Sequence, residues 1–226
     1  MLAADYRRIA RENLQGKWPL AIGVALLASI LGGLIVGNDF LAELEMKFSN
    51  EDLNNAGEYL VTLFSTHGLK IGLNSTLNLV HFILGGVIQL GYAKFLLRQH
   101  DHQETMAKDL FSYFDYFGTG FCQAFLRGLY TALWSMLFII PGIVASYRYA
   151  MTPYILAENP EMTASEAITA SKEMMEGHKW RLFCLDMSFI GWSILCGLTG
   201  NLGYIALNPY TNAARTAFYR DLQSYR

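Results

Sequence analysis

Apolar positions in this chain fall in long unbroken blocks rather than at a helical or alternating spacing. Trp18–Asn38, Ile71–Ala93, Gly128–Tyr147 and Met187–Ala214 contain no Asp, Glu, Lys or Arg. A hydrocarbon core of about 30 Å is crossed by about 20 helical residues, so each block is long enough to span a bilayer. A core helix of a water-soluble domain keeps a polar stripe, and these blocks show none. Pro141-Gly142 divides the third block, because proline removes a donor and ends or kinks a helix. The pattern predicts a helical hairpin there, turning at Pro141-Gly142. The fourth block is too long for one untilted crossing and is divided at Gly200-Asn201-Leu202-Gly203. The expected fold is all-α, a single polytopic membrane domain of six transmembrane helices with amphipathic interfacial helices. The spans are predicted at 19–37, 71–97, 121–140, 143–157, 182–199 and 204–219.

Charge supplies the orientation. Arg7, Arg8, Arg11 and Lys17 precede the first span, so the N-terminus is placed in the cytoplasm by the positive-inside rule. The loop 38–68 holds Asp39, Glu43, Glu45, Glu51, Asp52 and Glu58 against Lys47 and is placed outside. Six spans keep Lys94, Arg98, Lys108, Lys172, Lys179, Arg181, Arg220 and Arg226 on the inner side; four or five spans move some of them out. Both termini are therefore expected in the cytoplasm of a multi-pass plasma-membrane protein. The first span is read as uncleaved, since its apolar run is longer than a signal peptide's and no A-x-A site closes it.

Composition removes other classes. Lys+Arg 17 against Asp+Glu 19 gives a net charge of −2, and charged residues are 16% of the chain. No positive field exists to collect phosphates, so no nucleic-acid partner is expected. Cys122, Cys184 and Cys196 have neither disulfide-framework nor metal-ligand spacing. His100-Asp101-His102 with Glu104 is a loop cluster without the wider ligand spacing of a structural metal site. No metal and no cofactor is expected, and G-x-S-x-G, H-E-x-x-H and P-loop patterns are absent.

Three segments read as surface helices on the inner side. Leu2, Tyr6, Ile9, Ala10 and Leu14 share a face, with the arginines largely elsewhere, as in an interfacial anchor. DLFSYFDYF (109–117) places Leu110, Phe111, Phe114 and Phe117 on one side, suited to the headgroup region. Thr163-Ala-Ser-Glu166 is a capping-box pattern opening a cytoplasmic helix over 163–176, with Gly177 as its stop. Ala164, Ala167, Ile168, Met174 and Met175 form its apolar face.

These segments, together with LWSMLFIIPGIVASYRYAMTPYILAENPEMTASEAI, SKEMMEGHKWRLFCLDMSFIGW, NPY and AFYRDL, resemble the bacterial integral-membrane family catalogued as domain of unknown function 975. The arginines before GKWPLAI resemble it too, and the acidic outer loop matches least. The family is in turn similar in pattern to membrane domains of some glycerophosphodiester phosphodiesterases. The resemblance implies a polytopic plasma-membrane protein of bacteria, mostly Gram-positive. It implies no established activity and carries over no catalytic residue.

Charges inside the spans are the functional candidates, because they are costly in a bilayer. Arg127, Asp186 and Arg215 lie at similar depth from the inner side, and Arg148 lies deeper. Asp186 is expected to pair with Arg127 or Arg215, leaving guanidinium charge for an anionic lipid or amphiphile, whose phosphate suits the arginine fork. The expected function is non-enzymatic: an accessory or scaffold protein binding anionic phospholipid or a membrane partner. The alternative is a permease or the membrane subunit of a transporter. In that reading 163–176 is a coupling helix, and in either reading Glu166, Ile168, Met174 and Met175 are expected to dock a cytoplasmic protein partner.

Overall fold

The computed structural model describes residues 1–32, 76–137, 139–198 and 203–225. The acidic loop expected over 38–68 lies outside these residues, as does most of the break at Gly200–Gly203. Among the described residues all regular structure is helical. The elements are α1 (Ala3–Leu14), α2 (Trp18–Gly32), α3 (Thr76–His100), α4 (Phe117–Leu137), α5 (Ile139–Arg148), α6 (Thr152–Glu158), α7 (Ala164–Met174), α8 (Lys179–Met187), α9 (Ile190–Leu198) and α10 (Tyr204–Gln223). Two 3-10 turns, Ala107–Phe111 and Phe114–Tyr116, join α3 to α4.

The chain runs up and down. α2 leaves the end where both termini lie, α3 returns, α4 ascends, α5–α6 return, α8–α9 ascend and α10 returns. No helix among the described residues is long and apolar enough to cross a membrane alone. α1 and α2 reach that length and composition together but are bent by 103°, at a corner where Gly16 has φ +76°.

Two of the six expected spans are broken. The run 143–157 is divided between α5 and α6, because Pro153 has no N–H for the carbonyl of Tyr149. The run 182–199 is divided at Ser188-Phe189, where the Ser188 carbonyl accepts from Arg7 Nη1 (3.3 Å). Pro141-Gly142 is not the turn of the hairpin: α4 ends at Leu137 and α5 begins at Ile139. Pro141 falls in the first turn of α5, where a missing N–H has no helical partner to lose. Gly142 instead permits close packing, since a Cβ there would lie 2.2 Å from Ser135 Oγ.

Glycine also sets the α3–α4 crossing. A Cβ on Gly86 would meet the Gly120 carbonyl oxygen at 2.1 Å, and one on Gly91 would meet the Leu110 carbonyl oxygen at 1.9 Å. Small residues at such points let helix backbones approach closely.

The terminal helices pack on each other rather than lying apart. Tyr6, Ala10 and Leu14 are buried, mainly against α10. These three of the apolar face expected on a membrane surface are thus spent inside the bundle, while Leu2 stays exposed and Ile9 half-buried. DLFSYFDYF forms 3-10 turns rather than one amphipathic helix: Leu110 and Tyr113 are buried, and Phe111 and Phe114 are exposed. Asp109 fixes this turn, pairing with Arg98 (2.7 Å) and accepting from the Met106 N–H (3.0 Å).

The far half of the bundle is wrapped in exposed apolar side chains. Leu27 and Ile30 on α2, Leu129 and Leu133 on α4, Ile140 and Val144 on α5, and Ile194 and Leu195 on α9 all face outward, Ile140 being 75% exposed.

Candidate functional site

Beneath that belt lies a polar centre, assembled at the α3–α4 crossing and across to α10. One turn beyond Gly86, Gln89 projects from α3; one turn beyond Gly120, Gln123 projects from α4. Gln89 Oε1 accepts from Gln123 Nε2 (3.4 Å) and from Arg127 Nη2 (3.0 Å). Gln123 is 0% exposed, and its Oε1 has no hydrogen-bond partner. Among the described residues no carboxylate lies within ion-pair distance of Arg127.

Asp186 is engaged elsewhere. Its Oδ1 accepts from Arg215 Nε at 3.1 Å, with both side chains largely buried. Between the expected partners of Asp186, the structure selects Arg215, and Arg127 has no carboxylate partner among the described residues. Tyr154 on α6 stands within electrostatic reach of Arg127, Arg215 and Asp186, and Tyr147 on α5 within reach of the latter two. Among the described residues direct contacts between the α4–α5 pair and α9–α10 are few; α9 packs mainly on α10, and α5 on α4 and α8.

Arg148 is not brought into this centre by any hydrogen bond or ion pair among the described residues. It lies one helical turn from exposed Val144, and its Nε is buried without a partner. Its carbonyl accepts from Ser171 Oγ on α7 (3.0 Å).

The expected docking face of 163–176 is turned inward. Thr163 and Glu166 form the reciprocal cap, Glu166 N–H to Thr163 Oγ1 (3.3 Å) and Thr163 N–H to Glu166 Oε2 (2.9 Å). The Thr163 N–H holds the Glu166 carboxyl below its ordinary value. Ile168 packs with Leu126, Ala145 and Tyr149, and Met174 and Met175 join the main core. A helix that buries these three against its own chain has only polar positions, such as Ser165, Glu166 and Thr169, to offer outward.

Nearer the termini, ion pairs clamp the helix ends. Tyr6 O–H donates to Asp221 Oδ2 (2.5 Å), and Arg181 Nη2 donates to the same oxygen (2.5 Å) and to the Tyr6 hydroxyl. Burial alone would raise the Asp221 carboxyl, but the Tyr6 and Arg181 donors hold it below the ordinary carboxylate value. Arg220 binds both Asp101 and Glu158, and Tyr219 O–H donates to Glu158 Oε2 (2.5 Å). Asn13 Nδ2 meets His100 Nδ1 at 2.9 Å, so His100 is tied to α1 rather than poised for a metal. Burial lowers the His100 pKa. No group of three or more potential metal ligands occurs among the described residues.

Sequence reasoning passed over Gln123, Tyr154 and the Tyr6–Arg181–Asp221 clamp. A signal for the glutamines exists: G-x-x-Q occurs at Gly86–Gln89 and again at Gly120–Gln123, on the two helices that cross there. No curated protein and no solved structure matches the chain. A family match covers the segment from the end of α4 through α10, including Arg148, Asp186 and Arg215 but not Arg127. Residues 136–226 match the model of the family described as Protein of unknown function (DUF975).

Proposed function

We propose that this chain is a non-enzymatic, six-span integral protein of the plasma membrane, with both termini in the cytoplasm. It holds the phosphate of an anionic phospholipid or related amphiphile at Arg127 and acts as an accessory or scaffold protein. The observation that carries this reading is the Arg127 guanidinium. It lies below an exposed apolar belt, hydrogen-bonded to a neutral amide, while the nearby Asp186 is taken by Arg215. A guanidinium with no ion-pair partner among the described residues gains most, in low dielectric, from an anion that arrives with its own apolar tails. The sparse contact between α4–α5 and α9–α10 supports entry of such a molecule from the side. Ile168, Met174 and Met175 face inward, so a partner docking on α7 would meet its polar side, Ser165, Glu166 and Thr169.

Native mass spectrometry of gently solubilised protein tests the proposal. Wild type is expected to carry bound anionic phospholipid, R127Q to lose at least tenfold of it, and R148Q to retain it. Equal lipid on wild type and a folded R127Q overturns the site.

A further inference from the structure

The inner end of the bundle carries a second apolar feature, separate from the belt and from Arg127. Trp180 is 71% exposed at the start of α8, its ring stacked on Phe183 at 5.0 Å. Phe111 and Phe114, 5.8 Å apart, are exposed on the turn that leads into α4. Neither is a loose side chain on a mobile tip. The turn is bolted to α3 by Arg98–Asp109 and by Leu110 against Gly91, and α8 is fixed beside it in sequence by Arg181–Asp221. Large aromatics held rigidly outward suit contact with an apolar layer outside the described residues.

Register and charge identify that partner. Trp180 follows Lys179 at the foot of one ascending passage. Phe111 and Phe114 follow Lys108 at the foot of another. Trp18 follows Lys17 at the foot of a third, half-buried against Tyr210. An aromatic that follows a lysine, directly at Trp18 and Trp180 and after three and six residues at Phe111 and Phe114, suits the boundary between hydrocarbon and an anionic headgroup layer: the ring fills the apolar side and the ammonium meets phosphate. A protein partner would not require the same pair at three separate feet. We infer that Lys179–Trp180 and Lys108–Phe111–Phe114 seat the bundle on the anionic headgroups of the leaflet at the end carrying both termini. This inference rests on the membrane reading above and fixes its depth. With a rise of 1.5 Å per residue, Asp186 lies about 10.5 Å and Arg127 about 15 Å above the feet of their helices.

The test uses full-length protein in vesicles of phosphatidylcholine with 30% phosphatidylglycerol, carrying lipids brominated at different acyl depths. One variant keeps Trp180 and another keeps Trp192, with the remaining tryptophans changed to Phe. Trp192, in the belt on α9, is expected to be quenched most by deep bromines. Trp180 is expected to be quenched most by the shallowest, its quenching falling by half or more when phosphatidylglycerol is omitted or when K179Q and K108Q are introduced. Deep quenching of Trp192 with a water-like, unquenched Trp180 overturns the seat alone. Absence of quenching for both overturns the membrane reading itself.

Discussion

Asp221 is the residue on which the ends of the chain converge. It receives Tyr6 from α1 and Arg181 from α8, and its folded-state pKa lies below the unfolded value of about 3.9. Its contribution to stability is therefore complete above about pH 4 and is lost as pH falls through the folded-state value. D221N removes the charge that two donors face, and is expected to cost about 2 kcal/mol at pH 7 and to flatten the acid limb of a thermal-unfolding series in detergent. A wild-type-like acid limb in D221N would show that other carboxylates carry it. His100 acts in the same direction at higher pH. Its pKa is lowered by burial, so the neutral form stabilises the fold above about 6.5 and protonation weakens it below. The protection factors of the α1 amides, corrected for intrinsic exchange, are expected to fall between pH 7 and 5.5, and less so in H100N, which cannot protonate.

At the scale of elements, α8 and α10 are joined by two ion pairs of opposite sense. Arg181 and Asp186 on α8 meet Asp221 and Arg215 on α10, which fixes the antiparallel register of the two helices. Reversing one member, as in D186R or R215D, places like charges in a buried contact and is expected to destabilise by about 3 kcal/mol. The double variant D186R/R215D restores the attraction and is expected to recover at least half of that loss in a double-mutant cycle. Additive losses would contradict direct pairing. Gly86 offers an independent test. G86A forces a Cβ to within 2.1 Å of the Gly120 carbonyl, and is expected to lower stability by about 2 kcal/mol and to disturb the Gln89–Arg127 bond.

What could be read from sequence at this scale follows from range. The Thr163–Glu166 cap was legible because it is satisfied by residues three apart, and the structure shows both of its hydrogen bonds. The hairpin between α4 and α5 was legible from apolar length, but not its turn. Proline in a first helical turn looks the same in sequence as proline in a loop. The α1 face, Ile168 and Met175 were read as surfaces because periodicity reveals an apolar stripe without revealing what covers it. Tyr6–Asp221, 215 residues apart, has no local signature at all.

For the whole molecule, the bundle divides into an inner half tied by ion pairs and an outer half wrapped in apolar side chains. In water the outer half would be an aggregation surface; in lipid it needs no covering. The depth of Arg127 then sets the chemistry, since the same guanidinium in water would attract an anion weakly. The contrast between the halves is directly measurable by site-directed spin labelling. Labels at Leu129, Leu133, Val144 and Leu195 would be read in lipid bilayers with Cys122, Cys184 and Cys196 replaced by Ala. Collision with oxygen is expected to exceed collision with a water-soluble nickel chelate at all four. Labels at Glu166 and Thr169 on α7 should show the reverse. Chelate-dominated collisions along α4, α5 and α9 would place the belt in water, and the proposed membrane seat and lipid site would fall together.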